Sequence, residues 1–350
     1  MSAATVTERA EIRAMARELA RRELAPRAAS LDAGDQDVLA ECWRLLGELG
    51  LDRVLLDEQH GGAGLGAADL LAMIEELAVG DGGIAMCVLL CNAALATLAD
   101  EQLADVPAGA RWALVPAAPT TELRTSDGEL DGSLACALGA HGADGIVILL
   151  DAPQPAAWAI PRDVPGLRLQ RDTDQMGLCA APAASIEMAA IRSAPATGEV
   201  NGSVGTASAL ALLRAGTAAI AHGIARRAHE MALEYAHSRR QGGVAIIKHD
   251  AVSDMLAAMV VRLACWPEIA TDPSQIALDG EQALTAKIAA SDAAVASSTD
   301  AVQVFGGTGY MVETGIEKLM RDAKYCQLFP EPNWVAQDEL MRSERSRRAP

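Results

Sequence analysis

Apolar positions keep a helical period at both ends of the chain and lose it in the middle. Residues 10–24 place Ile12, Met15, Leu19 and Leu24 roughly on one face, and Pro26 is expected to stop that helix. Residues 38–49 repeat the pattern with Val38, Leu39, Cys42, Leu45, Leu46 and Leu49, and Gly50 follows as the stop. A glycine-rich stretch at 51–66 leads into a third helix over 67–79. Residues 84–99 are apolar all round, which predicts a central, buried helix. The run is short for a membrane span and holds Asn92.

Between about 111 and 197 the pattern changes to short apolar runs. Residues 112–116, 145–150 (GIVILL), 157–160, 167–169 and 185–191 read as strands, with Asp127-Gly128 and Asp131-Gly132 as turns. Helical period returns over 208–239, where Leu213, Ile220, Ile224, Ala228, Met231 and Tyr235 form one stripe closed by Gly242-Gly243. Residues 249–265, 282–305 and 312–327 supply three more helices, and short loops between four helices make a bundle. Residues 343–350 read as a basic, frayed tail. The expected fold is mainly α with a small β-domain. It comprises a helical domain over 1–110, a middle β-domain over 111–200 and a four-helix bundle over 201–350.

Composition narrows the function classes. A net charge of −18 argues against nucleic acid and anionic membranes as partners, and it keeps a helical protein soluble. The seven cysteines, at 42, 87, 91, 136, 179, 265 and 326, show no disulfide framework. Cys87 and Cys91 have neither a second close pair nor histidines beside them, so no metal site is expected. The thiols read as reduced and mostly buried, in a cytoplasmic protein. The amino terminus is charged and amphipathic, unlike a secretory signal.

Gly62 to Ala67, GAGLGA, fits a loose dinucleotide-binding spacing, but no alternation of strands and helices surrounds it. A denser pattern lies at 300–334, DAVQVFGGTGYMVETGIEKLMRDAKYCQLFPEPNW. Glycines there let backbone approach a ligand closely, and free N–H groups attract phosphate. This stretch resembles the C-terminal signature of the acyl-CoA dehydrogenase family of flavoproteins, with Ala301-Val302-Gln303, Gly306-Gly307, Gly309-Tyr310, Glu317-Lys318 and Arg321-Asp322-Ala323 in register. Residues 51–66 resemble a loop between the family's N-terminal helices, in which the glycines make a turn and do no chemistry. The resemblance runs from about 10 to 340 and is weakest in the β-block.

The resemblance implies FAD as cofactor. Arg239, in YAHSRRQGG, matches the family arginine that binds the FAD pyrophosphate across a subunit interface, a task suited to a planar guanidinium. Gln303, Gly306 and Gly307 match contacts to the ADP part of the same cofactor, and Arg321 matches a structural arginine. Other matches fail. Gly242 replaces a family phenylalanine beside the flavin, and Val115 to Glu122 lacks the family's flavin-ring segment, with Thr120 and Thr121 as the nearest stand-ins. The family's catalytic glutamate is Pro330 here, and its alternative location, just before Arg214, is Leu213. Glu331 is the nearby substitute, expected as an exposed corner carboxylate.

The resemblance therefore implies α,β-desaturation of an acyl-CoA thioester. This chain would supply ADP-side contacts, and a homologous subunit the flavin-ring site and base, as in a heterotetramer. Rival expectations are a self-sufficient homo-oligomer using Glu331 and a structural paralogue without flavin. Electron-transfer flavoprotein or a similar acceptor is the implied redox partner. The acyl group stays open.

Overall fold

In the computed structural model, helix α1 (Val6–Leu19) and the π turn that extends it end at Leu24, before Pro26 as expected, but the chain does not leave helical geometry there. The chain continues through a π turn (Ala20–Leu24) and a 3₁₀ turn (Ala25–Arg27) into α2 (Ala28–Asp32). Proline falls in the first turn of the 3₁₀ segment, where a missing N–H costs little, and Arg27 pairs with Glu23 at 2.7 Å across it. The structure describes residues 6–117, 123–126, 129–150, 156–192, 199–200, 203–204, 206–265 and 280–348. Met15 faces solvent, and Ala16, Leu19 and Ala20 make the buried face instead.

Helix α3 (Gln36–Glu48) is capped by Asp35, whose carboxylate accepts from the N–H groups of Asp37 and Val38. Helix α4 (Ala67–Gly80) follows the glycine turn, with no strand ahead of it. A side chain at Gly62 would meet the carbonyl of Leu56 at 2.0 Å, so this glycine is fixed by close packing. Helix α5 (Gly82–Ala96) is buried on every side, as its all-apolar sequence predicts. Asp81 caps it, accepting from Ile84 N–H at 2.9 Å. A short α6 (Asp100–Leu103) ends this part.

Strands β1 (Trp112–Pro116), β4 (Gly145–Leu150) and β5 (Ala156–Pro161) form one sheet in the order β1-β4-β5, with β1 parallel to β4. Strands β2 (Arg124–Ser126), β3 (Glu129–Ala137), β6 (Leu167–Arg171) and β7 (Ala184–Arg192) form an antiparallel sheet ordered β2-β3-β7-β6. Alternation assigns the faces of the first sheet. Ala113, Val115, Ile146, Ile148 and Ile160 join a core with the second sheet, whereas Trp112, Leu114, Val147 and Leu149 join the helical core. Burial on both faces explains the unbroken apolar run in β4. Asp131-Gly132 is no turn. It lies within β3 as a bulge, Gly132 at φ +132 beside a slip in register against β7. Asp127-Gly128 and Thr120-Thr121 lie outside the described residues.

After short strands β8 (Glu199–Val200) and β9 (Ser203–Val204), helix α7 (Thr206–Ser238) runs through the molecule. It is long and apolar enough to cross a bilayer, but 78% of its most apolar window is buried inside the fold. Strands β10 (Arg240–Gln241) and β11 (Val244–Ala245) make a hairpin, so Gly242-Gly243 is its turn, with φ of +61 and +81. Helices α8 (Asp250–Ala264), α9 (Gly280–Phe305) and α10 (Ile316–Cys326) pack with α7 as a bundle. The last helix begins only at Ile316, after a 3₁₀ turn at Val312–Thr314 and Gly315 at φ +67. The basic tail is also ordered further than expected. Helix α11 (Asn333–Arg348) takes in residues 343–348 of it, and Arg347 pairs with Glu281 at 2.6 Å.

A charge cluster joins the two helical ends of the sequence. Glu76 of α4 is fully buried and meets Arg17 at 2.9 Å and Arg226 of α7 at 3.1 Å. Its neighbour Glu75 meets Arg13, Arg226 and His222. Those hydrogen-bonded cations outweigh desolvation and pull the Glu76 carboxyl down to about 2. All seven cysteines are free, and Cys42, Cys87, Cys91 and Cys326 are buried.

Candidate active site

The glycine segment and the end of α7 meet at one end of the bundle. Tyr235 of α7 stacks on Phe305 of α9, ring centroids 4.2 Å apart. Its hydroxyl lies 3.4 Å from Thr308 Oγ1. A 3₁₀ turn at Gly306–Tyr310 ends α9, and Gly306 takes φ +62, a conformation that favours glycine. A Cβ at Gly306 or Gly307 would meet nothing within 4 Å, so both open outward. Gly309 is instead packed inward, its absent Cβ only 2.5 Å from the Val302 carbonyl.

Arg239 follows α7 one turn after Tyr235, and its N–H donates to the Tyr235 carbonyl at 2.8 Å. Its side chain is exposed and, among the described residues, has no hydrogen bond or ion pair. Gln303 is exposed on the last turn of α9. The four candidate positions all face outward at this end of the bundle: an exposed guanidinium with no hydrogen bond or ion pair among the described residues, an exposed amide and two open glycines. That donor set suits a diphosphate: Arg239 keeps its donors free, and the glycines leave room for backbone to approach.

The corner between α10 and α11 differs from its sequence reading. Glu331 is not exposed. Its side chain is 15% accessible and its Oε1 accepts from Arg214 Nε at 3.1 Å. Arg214 is itself buried on α7 and is gripped a second time by Glu339 of α11, at 3.1 and 2.6 Å through two nitrogens. Burial raises the Glu331 pKa and Arg214 opposes the rise; the net direction is upward. Leu213, where the family has its alternative base, is fully buried in the core. Lys287 of α9 reaches the same corner and donates to the Glu331 carbonyl.

Arg321 is a brace. Its guanidinium pairs with Asp32 at 2.6 Å and with Glu317, and donates to the Met176 carbonyl. Beside it, Lys318 is buried between Asp81 and Asp322, and Asp322 accepts from Leu178 N–H at 2.7 Å. The flanking carboxylates raise the Lys318 pKa despite its burial. These contacts tie α10 to the start of α5, to α2 and to the loop before β7.

Glu339 and Lys287 did not emerge from the sequence. Lys287 carried one signal, a lone cation on the alanine-rich, buried stripe of α9. Glu339 carried none, being one acid among many in a polar terminal stretch.

Residues 7–104 match the family model described as acyl-CoA dehydrogenase, N-terminal domain, and residues 202–330 match the corresponding C-terminal domain. An acyl-CoA dehydrogenase of Bacillus subtilis is 29% identical, over 94% of this chain and 95% of the relative. Among solved structures, butyryl-CoA dehydrogenase from Megasphaera elsdenii superposes with a TM-score of 0.83 at 23% identity, covering 98% of this chain and 99% of that one. A chain from work on the electron transferring flavoprotein of Acidaminococcus fermentans and flavin-based electron bifurcation gives 0.84 at 25% identity. It covers 98% of this chain and 99% of that one.

Proposed function

Since the chain belongs to the acyl-CoA dehydrogenase family of FAD-dependent oxidoreductases, we propose that it acts as one subunit of an assembly that desaturates an acyl-CoA thioester at its α,β bond. In this reading the chain binds the ADP half of FAD across a subunit interface, and a homologous partner supplies the flavin-ring site and the base. FAD held there would supply the acceptor for the β-hydrogen, which leaves as hydride. Arg239 would hold the pyrophosphate through charge-assisted hydrogen bonds, Gly306 and Gly307 would give it backbone room, and Gln303 would meet the ribose. Their outward direction favours a cofactor shared with another subunit over one enclosed by this chain. Electron-transfer flavoprotein or a similar acceptor fits as redox partner, and free thiols suit a cytoplasmic location.

One observation carries the assignment of the base elsewhere: Pro330 occupies the family's base position, and the neighbouring carboxylate of Glu331 is locked onto Arg214 at 3.1 Å. A proton-abstracting group must reach the substrate's α-hydrogen, and an ion-paired oxygen is not free to do so. A second reading rests on Glu339, which grips Arg214 through both oxygens and would keep it paired if Glu331 turned away. In that reading Glu331, with its raised pKa, is the base of a self-sufficient homo-oligomer.

Glu331→Gln separates them. Turnover of the intact assembly is measured with an acyl-CoA and an artificial electron acceptor. A partner-supplied base predicts a change under about 10-fold. Loss of a general base in this chain predicts about 100- to 10,000-fold with flavin retained, which would overturn the proposal. Flavin retained by the chain purified alone, against flavin retained only after co-expression with a homologous subunit, provides the second readout.

A further inference from the structure

Glu331 is held at both ends by buried cations from different helices. Arg214 of α7 holds its carboxylate, and Lys287 of α9 holds its main-chain carbonyl. Lys287 is 0% exposed. Its Nζ donates to three oxygens: the Gln327 carbonyl at 3.2 Å, the Glu331 carbonyl at 2.5 Å and Asn333 Oδ1 at 2.7 Å. Among the described residues no carboxylate lies within ion-pair distance of it. A buried ammonium facing neutral oxygens costs more than an apolar side chain of the same shape. Its use must lie in what those oxygens gain.

All three acceptors belong to residues 327–333. Gln327 caps the C-terminus of α10, where carbonyls lack helical donors and the helix dipole favours a cation. Asn333 opens α11 and fastens the same corner to α9 again, donating to Ser291 Oγ at 3.0 Å and Asp292 Oδ1 at 2.8 Å. Gln327 also donates to Asp292, at 2.6 Å. We propose that Lys287 is the positioning residue of the α10–α11 corner, its ammonium fixing the Glu331 carbonyl and with it the direction in which residues 330 and 331 face the acyl thioester. The effect on turnover rests on the second reading above, in which Glu331 of this chain is the base; the effect on the corner itself rests on the contacts alone.

The charged and titratable groups facing Lys287 are Glu331 on the corner, Cys326 on α10, Arg214 on α7 and Asp292 on α9. Burial outweighs the two carboxylates and brings the lysine down to about 8, while burial keeps Cys326 a thiol, at about 12. The ammonium is therefore present below about pH 8 and lost above it. The corner should loosen over that interval.

The test uses Lys287→Met in the intact, flavin-loaded assembly. Amide hydrogen exchange over 327–333 is followed alongside kcat and KM. The N–H groups of Phe329 and Asn333, bonded to the Tyr325 and Gln327 carbonyls, should exchange at least about 10-fold faster as the corner opens locally. A misplacement near 1 Å costs on the order of 100-fold, so where Glu331 is the base kcat should fall by about 10- to 100-fold with KM changed less than about threefold. The fall in wild-type kcat above about pH 8 should vanish in the variant. Unchanged exchange, or kcat and KM falling together, overturns the proposal. If wild-type assembly shows no turnover, the functional reading fails, and exchange still decides the role of Lys287. If Lys287→Met does not fold, wild-type exchange is compared from about pH 7 to about 9.5, corrected for intrinsic rates. Selective loss of protection at 327–333 is expected, and uniform protection refutes it.

Discussion

Replacing Arg239 by alanine should affect FAD and little else. In the folded chain the guanidinium makes no hydrogen bond or ion pair among the described residues, and it stands exposed after the last turn of α7. Its N–H bond to Tyr235 belongs to the backbone and survives the substitution. Stability should therefore change by less than about 0.5 kcal/mol, the range of surface substitutions free of special contacts. A hydrogen-bonded charge on a diphosphate contributes roughly 2–3 kcal/mol, so FAD affinity should fall by roughly 30- to 150-fold. The assay is a fluorescence titration of flavin-stripped assembly with FAD and, separately, with riboflavin. Riboflavin lacks the diphosphate, and its weaker binding should be the same in wild type and Arg239→Ala. An unchanged FAD affinity with native circular dichroism would refute the assignment. So would an equal loss for riboflavin, because the arginine would then act on the ring or through the fold.

Two further predictions concern pH. The Glu76 carboxyl falls from 4.5 to about 2 on folding, so its stabilisation is present above about pH 4.5 and is lost as pH falls toward 2. The shift corresponds to about 3 kcal/mol. Glu76→Gln should lower the urea midpoint at pH 7 and flatten its fall in acid; an unchanged acid limb would contradict the role given to the cluster. At the other extreme, burial pushes Cys87 to about 11 and Cys91 to about 12. Their thiols ionise in the unfolded chain first, so stability should drop as pH rises above about 9. Cys91→Ala should reduce that drop, and an equal drop would show that the thiol contributes nothing to it.

Local pattern made much of the architecture legible. Gly50 follows α3 at φ +71, as a glycine stop requires, and the continuous apolar run of β4 belongs to a strand buried on both faces. Errors arose where distant residues decide. Pro26 marks where the first helix ends, but nothing nearby reveals that the chain turns on through 3₁₀ geometry into α2. Glu331, between two prolines, has every local mark of a solvated corner. Its burial is set by Arg214, 117 residues earlier in the chain. The terminal arginines looked frayed because the partner of Arg347, Glu281, lies 66 residues away. Spacing singles out Arg239, Gln303, Gly306 and Gly307, but their outward direction depends on the stacking of Tyr235 on Phe305.

The sheet β1-β4-β5 has one face in each of the two hydrophobic cores, and this gives it a mechanical character. Val147 and Ile148 are adjacent in sequence, yet the first packs with the helices and the second with the other sheet. A hinge needs a joint that can bend without disturbing what lies on either side. Here the joint is a party wall, with Trp112, Leu114, Val147 and Leu149 set in the helical core. Tilting the β-block would pull those side chains from their packing, so the wall works as a rigid transmission between the halves. Close-packed interiors transmit strain, so a displacement on one side should be felt on the other.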